Sequence, residues 1–569
     1  MSESQAPLSV GIDLGTTYSC IAYIDEYGKP VVLKNFEGDS TTPSVVLFSE
    51  ADEVVVGKTA KQDKVFAEPG RVVEFVKRGM GDPNWRHFLD DQEYRPEEIS
   101  AYILKKVVKD AAEKIGRPIE YAVITCPAYF GINEREATVQ AGTIAGLKGY
   151  TEDGSVNIIP EPAAAAFYYG LERSEGDEVV LVYDLGGGTF DVTLLSISAG
   201  NVEAICIGGD HELGGKDWDD VLTNYCLSQA EEEAGIDPDA VYDDAQQLGD
   251  LQLRVEEAKK SLTAKEKAIV PFVFDGQRVR IELTRDKFNE LTEDKVARTI
   301  ELSRAMLADA DQKGYTAFDR ILLVGGSTKM PQIKSRLEAE FPGVPVEYNE
   351  PDEAVAKGAA LFAQKLLIDR QVSDELFRLT GAKVNGEGFE AVAASNPEEL
   401  QAATDTVAAT LGLTGPKVKS LVEVQVKPVS SKSFGIISLV NHETGEEKIV
   451  HLIVKNTGLP AEVTQRFGTV DEGQESVALR VMETVRTEDK VDLDAGEQIG
   501  EAILDLPPGL PKGSPVEVTF ALDSAGLLTF SGRDLSSGTT IAGEIETAGV
   551  MNADELESAK QRSQGLIIA

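Results

Sequence analysis

One phrase occurs twice in this chain and limits its fold more than anything else in the sequence. Asp13–Thr17 reads DLGTT directly after the apolar run LSVGI, and Asp184–Asp191 reads DLGGGTFD directly after EVVLVY. The residues that follow are again apolar and branched, YSCIAYI at 18–24 and FDVTLLSI at 190–197. Each phrase therefore predicts the tip of a β-hairpin between buried strands. A long-period repeat of this kind implies duplicated halves, with both tips facing one cleft.

The chemistry of the tips follows from charge. With 55 Lys and Arg against 97 Asp and Glu, the net charge of −42 repels nucleic acid and anionic membrane surfaces, and neither is expected as a partner. An anionic ligand must then be held locally. Glycines let backbone N–H groups approach phosphate oxygens, and threonine hydroxyls add donors without charge. Asp13 and Asp184, at the strand ends, would repel a polyphosphate unless a divalent cation lay between, and Mg²⁺ held through water suits such oxygens. ATP or ADP with Mg²⁺ is the expected ligand. A third phrase, LLVGGSTKMP at 322–331, ends a strand with Gly325 and Gly326 and opens a helix whose N–H groups can receive a ligand. Any one of these phrases alone is more often an ordinary turn; three in one α/β unit are not.

A chain of 569 residues exceeds one core. Residues 1–366 alternate short branched runs with helical patterns at 97–115, 133–147, 251–262 and 331–341, which predicts an α/β domain. Residues 367–420 read as a connector with a capped helix at Asn396–Leu411, between glycine-rich breaks. From 421 to 546 strand follows strand (VEVQV, EKIVHLIV, SVALRVME, VEVTFAL, LLTFSG, TTIAGEIE), which predicts a β-sandwich. Residues 547–569 predict a short helical tail, with Asn552 ahead of acids in the first turn. No stretch of 18 apolar residues and no secretory leader pattern occurs, so a cytoplasmic protein is expected. Cys20, Cys126, Cys206 and Cys226 read as reduced core residues, and the four histidines are too dispersed for a metal site.

IDLGTTYSC (12–20), VITCPAYF (123–130), NIIPEPAAAAFYYG (157–170), LVYDLGGGTFDV (181–192), LGGKDWD (213–219) and LLVGGST (322–328) together resemble the ATPase domain of the seventy-kilodalton heat-shock chaperones. The likeness is dense over 8–366 and looser over 421–545. It implies an actin-like, duplicated, two-lobed ATPase domain followed by a β-sandwich that binds extended polypeptides. By resemblance, Gly15, Thr16 and Thr17 match the first phosphate loop, and Gly186, Gly187, Gly188 and Thr189 match the second. Asp13 and Asp184 match the acids around the Mg²⁺ hydration shell, and Lys77, Glu161, Thr189 and Asp191 match the hydrolytic set. Glu256, Lys259, Lys260 and Thr263 match the adenosine-binding helix; their spacings of three and four put them on one face. Gly215, Gly325, Gly326, Ser327, Lys329 and Asp352 match the remaining nucleotide contacts. Lys329 stands where the family has an arginine that stacks on adenine, Lys216 where it has an acid, and Lys and Thr at 260 and 263 where Arg and Ser are usual. A lysine offers no planar stacking surface.

Pro127 and Arg135 match the relay from the cleft to the second domain. The family's leucine-rich linker has its best counterpart in SLVEVQV at 420–426. Ile436, Leu439, Phe467, Val477 and Leu479 match the lining of the peptide groove, although ordinary sandwich core fits the same alternation. The lid shrinks to a stub with no acidic tail, which implies fast peptide exchange. The leading reading is an ATP-hydrolysing chaperone that binds unfolded or extended polypeptides, with a J-domain co-chaperone and a nucleotide exchange factor as implied partners. A nucleotide-gated regulatory or scaffold protein is the alternative, distinguished by a peptide affinity indifferent to nucleotide. An actin-fold metabolite kinase or filament protein is a third reading, against which the appended sandwich argues.

Overall fold

The computed structural model describes residues 8–50, 53–151, 154–172, 176–198, 201–381, 388–441, 443–543 and 549–569. The expectations for residues 1–7, for the connector at 382–387, for the end of TTIAGEIE and for the start of the tail lie outside the described residues.

Two sheets of one plan organise the first part of the chain. The first runs Asn157–Pro160, Val123–Cys126, Val10–Asp13, Tyr18–Ile24, Pro30–Val32; the second runs Val346–Tyr348, Arg320–Val324, Glu178–Leu185, Phe190–Ser198, Asn201–Asp210. In both, the leading hairpin is antiparallel and its first strand pairs in parallel with the strand that arrives later, Gly11 opposite Val123 and Leu181 opposite Ile321. Strands flanked on both faces are buried and mostly apolar, as VITC and the ILLV of Arg320–Val324 are.

The sheets are joined by two helices, Glu161–Glu172 and Ala354–Thr380, whose small residues set a close crossing. A Cβ at Gly358 would stand 1.8 Å from the Ala164 carbonyl oxygen, and one at Gly11 2.1 Å from the Ala360 amide nitrogen. No side chain fits there. Ala163–Ala166, Ala359 and Ala360 form one buried cluster with Ala22 and Val123 of the first sheet and Val182 and Leu195 of the second. Each sheet packs its outer face on its own cluster.

Within 367–420 the described residues are mostly helical. The helix Ala354–Thr380 continues through residue 366, and further helices occupy Gly388–Ser395, Pro397–Leu411 and Gly415–Glu423. Ile368, Val372 and Leu376, four apart on one helical face, are buried against Ala403, Val407, Ala408, Val418 and Leu421. That face supplies a core where the glycine breaks suggested a loose segment. Asn396 precedes its helix as expected, but its amide donates to the Val392 carbonyl (2.8 Å) and does not cap the N-terminus. The linker candidate is helical up to Glu423, and Val426–Lys427 then pairs in parallel with Val202–Glu203 on the edge of the second sheet.

The sandwich has a five-stranded sheet (Lys490–Val491, Glu446–Ile453, Ser433–Asn441, Ser476–Thr484, Gly496–Asp505) over a four-stranded one (Ala461–Gly468, Pro515–Leu522, Leu528–Asp534, Thr540–Gly543). Phe434, Val481, Val518, Phe520 and Phe530 fill it. It sits on the two-lobed part. The Arg135 guanidinium donates to the Ala525 carbonyl (2.9 Å), Ser431 Oγ to the Phe130 carbonyl (2.7 Å) and Lys313 Nζ to the Asn456 carbonyl (2.6 Å). Ile132 enters the sandwich core itself. The tail helix Ala553–Gly565, capped reciprocally by Asn552 and Glu555, packs on the first lobe beside the helix Pro96–Ile115, where its Arg562 meets Glu98. The four cysteines are free and buried, and among the described residues no helix is long and apolar enough to cross a membrane.

Truncating a fully buried leucine leaves a cavity that costs about 2–5 kcal/mol. Leu376→Ala is therefore expected to lower the unfolding free energy of the helical extension by that much while MgATP affinity stays unchanged. Chemical denaturation followed by circular dichroism checks it.

Candidate nucleotide site

Between the lobes lies a cleft of about 510 Å³. Its two hairpin tips touch. A Cβ at Gly187 would stand 1.7 Å from Thr17 Oγ1, and one at Gly188 2.2 Å from Thr16 Cγ2, so only glycine lets the second tip close on the first. The Thr17 hydroxyl is buried at this contact with no hydrogen-bond partner in the protein. An unpaired buried hydroxyl costs free energy unless a ligand oxygen completes it. Gly325, with φ of 81°, lets the third phrase turn beneath Asp184; a Cβ there would meet Asp184 Oδ1 at 2.6 Å.

The floor of the cleft carries the charged groups. Glu161 is the first residue of the central helix, and Lys77 lies on the short turn Val76–Gly79, entered through Phe75 in the left-handed region (φ 56°). Lys77 Nζ donates to Glu161 Oε1 at 2.5 Å, both side chains buried. Burial opposes the Lys77 ammonium, but the carboxylates of Glu161 and Asp13 outweigh it and hold its pKa above the ordinary lysine value. Asp184 and Asp191 face each other across the second hairpin. Burial, and then the Glu161 charge, pushes Asp13 and Asp191 up to about 7; the same causes raise Asp184 well above the carboxylate range. Several acids thus share one lysine. Asp13 accepts from Thr125 Oγ1 (3.2 Å), and Asp191 from the Tyr129 amide (3.0 Å).

This donor set fits Mg²⁺. The carboxylates come from opposite lobes and do not converge into a ready-made cage, which suits an ion that keeps most of its water. Removing the penalty of ionising neighbouring acids is what a divalent cation supplies.

Most residues singled out in the sequence line this cleft: Asp13, Gly15, Thr16, Thr17, Lys77, Glu161, Asp184, Gly186, Gly187, Thr189, Gly215, Glu256, Lys259, Lys260, Thr263, Gly325, Gly326, Ser327, Lys329 and Asp352. Asp191 and Gly188 stand just behind the wall. Asp191 turns to Tyr129, and the Gly188 carbonyl accepts from Arg78 Nε at 2.9 Å. Pro127 and Arg135 do not line it; Arg135 faces the sandwich and donates to the Phe130 (2.9 Å), Ala128 (3.1 Å) and Ala525 (2.9 Å) carbonyls. Of the groove residues, Ile436 and Leu479 are buried between the sandwich sheets, and Leu439, Phe467 and Val477 are half-buried.

Other cleft residues had no local signal. Lys61, on a short helix of the first lobe, reaches Glu256 Oε2 across the cleft (2.5 Å), and Lys260 holds Oε1 (2.7 Å). Both ammonium groups also lie over the Tyr18 ring, at 5.0 and 4.8 Å. Burial would raise the Glu256 pKa, but the two lysines pull it down to about 2, so it is a full acceptor. Lys259 binds the Gly215 carbonyl (2.9 Å) and Asp219 (2.7 Å), and Arg78 ties the lobes through Asp217 (2.6 Å). Only Tyr18, adjoining the first tip, was within reach of sequence reasoning; Lys61 and Arg78 look like surface cations until the lobes face each other.

Duplicated sheets around a charged cleft, with a sandwich docked beneath, define a two-lobed, actin-like ATPase carrying a β-sandwich for substrate. The family model described as "Hsp70 protein" matches residues 9–379 and 390–566. "Chaperone protein DnaK" of Thermotoga petrophila is 36% identical over 558 residues, which cover 96% of this chain and 82% of that protein. The protein of that name in Thermotoga maritima matches equally, and that of Thermotoga neapolitana is 36% identical over 93% of this chain and 78% of its own length. The chain belongs to the Hsp70 family. It is an ATP-dependent chaperone and an ATPase that uses ATP, ADP and Mg²⁺, and in general terms it binds unfolded polypeptides and co-chaperones.

Asp13 and Asp191 hold their protons more tightly when folded than when unfolded. Their contribution to stability is present below about pH 4 and is lost as pH rises towards about 7 in the nucleotide-free protein. MgADP binding at about pH 6 is accordingly expected to release protons, and at about pH 8 to release few. Isothermal titration in buffers of different ionisation enthalpy measures this.

Proposed function

We propose that hydrolysis is carried by the Lys77–Glu161 pair on the cleft floor, the observation that favours these two over any surface cation or acid. The Lys77 ammonium positions the attacking water and faces the γ-phosphate; Glu161 holds that lysine in place and accepts the proton of the water. The Thr189 hydroxyl and the N–H groups of Gly15, Thr16, Thr17, Gly186, Gly187 and Gly188 receive phosphate oxygens, and Asp191 orients the set through Tyr129. Asp13 and Asp184 would hold a Mg²⁺ through its waters, and the ion would supply charge neutralisation for the phosphates. Glu256 accepts the ribose hydroxyls between its two lysines, with Lys259, Lys260 and Thr263 on one wall and Gly215, Gly325, Gly326, Ser327, Lys329 and Asp352 on the other.

The chain divides, in this reading, into an ATPase unit ending within the helix Ala354–Thr380, a helical extension to Glu423, a sandwich that binds peptide, and a tail docked on the first lobe. The peptide lies against Leu439, Phe467 and Val477, with Ile436 and Leu479 beneath, and the Ala128–Phe130 segment with Pro127 and Arg135 relays cleft state to the sandwich. A J-domain protein and a nucleotide exchange factor are the expected co-chaperones, and the cytoplasm the expected compartment.

Loss of a group that acts on the transferred phosphoryl or its water costs about 10²–10³ in rate. Lys77→Ala and Thr189→Ala should each lower single-turnover hydrolysis by about that factor while MgATP still binds; unchanged rates would remove the assignment. Phe467→Asp should weaken an extended apolar peptide about 10- to 100-fold, the worth of one buried aromatic side chain, without altering ATP hydrolysis. Fluorescence anisotropy with a labelled peptide reads it.

A further inference from the structure

We propose that the outer edge of the strand Glu53–Val56 is an acceptor site for this chain's own Leu566–Ala569, and that the strand addition seen there straps the sandwich to the ATPase. Ile567–Ile568 pairs in parallel with Glu53–Val54. The Ala569 amide donates to the Val54 carbonyl (2.9 Å), and the Val56 amide to the Ala569 carbonyl (3.1 Å). Ile568 sinks into the outer core of the first lobe beside Val54 and Val56, while Ile567 points out. One side chain in, one out, with backbone bonds to a sheet edge, is how strand addition recognises an extended peptide.

The helix Pro96–Ile115 completes the dock. Lys109 Nζ donates to the Ile568 carbonyl (2.7 Å), and Lys105 Nζ to the Ser563 carbonyl at the end of the tail helix. Arg562 makes two bonds to Glu98 (2.9 and 2.7 Å), a fully buried carboxylate that also accepts from the Tyr102 hydroxyl (2.8 Å). With the tail docked, Arg562 is the cation that balances this buried carboxylate, so removing the Arg562 guanidinium alone would leave the charge buried and unpaired. Gln140 Nε2 donates to the Met551 carbonyl (2.9 Å) and Gln140 Oε1 accepts from the Met551 amide (3.1 Å).

The consequence concerns coupling. The sandwich is anchored to the second lobe by Val426–Lys427 and to the first by this tail, so both ends are fastened. The strand Ser476–Thr484 carries Val477 and Leu479 at one end and Glu483 at the other, where Glu483 receives the Ile132 amide (3.4 Å) and meets Lys432 (3.7 Å). Holding the sandwich down therefore holds the strand that lines the groove. This last step rests on the peptide-groove reading; the acceptor site does not.

Two variants of the full chain test it, truncation after Gly565 and Ile568→Ser, each checked for folding by MgADP binding. Hydrogen exchange needs neither nucleotide turnover nor a client. The Val56 amide should exchange at least about tenfold faster in both variants, and residues 128–136, under the sandwich, should lose protection with it. In a shorter variant truncated after Gly549, where the tail dock is vacant, a synthetic peptide of residues 550–569 should restore protection at Val56. Unchanged exchange at Val56, or no rescue by the peptide, overturns the acceptor site. Faster exchange at Val56 with residues 128–136 still protected overturns the strap. Only if the strap holds should truncation change the affinity of an extended apolar peptide, by about tenfold, in the ADP state; equal affinity there would sink the groove reading and leave the strap standing.

Discussion

The contact between Gly187–Gly188 and Thr16–Thr17 is the constraint on which the molecule depends. Two sheets of like plan can oppose their hairpin tips only if the second carries no side chain where the first presents hydroxyls. The same demand recurs at the centre, where Gly358 rides on the Ala164 backbone and sets how closely the lobes approach. Sterics at these two places determine the width of the cleft. A Cβ at either would wedge the lobes apart and separate Lys77 from the second tip.

Inside that cleft electrostatics take over. A chain of net charge −42 places four acids, Asp13, Glu161, Asp184 and Asp191, around one buried lysine. The nucleotide-free floor is thus short of positive charge, and Mg²⁺ with its nucleotide answers the shortage. The same floor reaches outward. Tyr129 gives its amide to Asp191 on the cleft side, and on the other side its ring lies 4.8 Å from the Lys432 ammonium of the sandwich. Phe130 accepts from Ser431 and Arg135 while its ring approaches Lys77. A segment three residues long therefore touches the buried charged floor of the cleft and the docked sandwich at once.

The periphery shows where local pattern stops informing. The helical extension was hidden because its glycines read as breaks, although Ile368, Val372 and Leu376 already carried a helical stripe; only the partner helices made it a core. The tail read correctly as a capped helix, but nothing in NADELESAKQRSQ says that Arg562 will find Glu98 or that LIIA will extend a sheet more than five hundred residues upstream. Strand addition is decided by a free edge elsewhere in the chain, and a free edge has no sequence of its own.

Taken alone, the sequence determined the duplicated hairpins, the glycine- and threonine-rich tips, the acids at their strand ends, and the α/β then β order of the chain. These follow from short-range rules: the period of apolar residues, the steric freedom of glycine, and the cost of like charges held together. Tertiary structure decided which lysine serves Glu161, which cations cross the cleft to Glu256, whether Ile436 and Leu479 are core or surface, and where the tail docks. Those depend on distances between residues far apart in the chain, set by how two lobes and a sandwich pack, and local pattern carries no information about such distances.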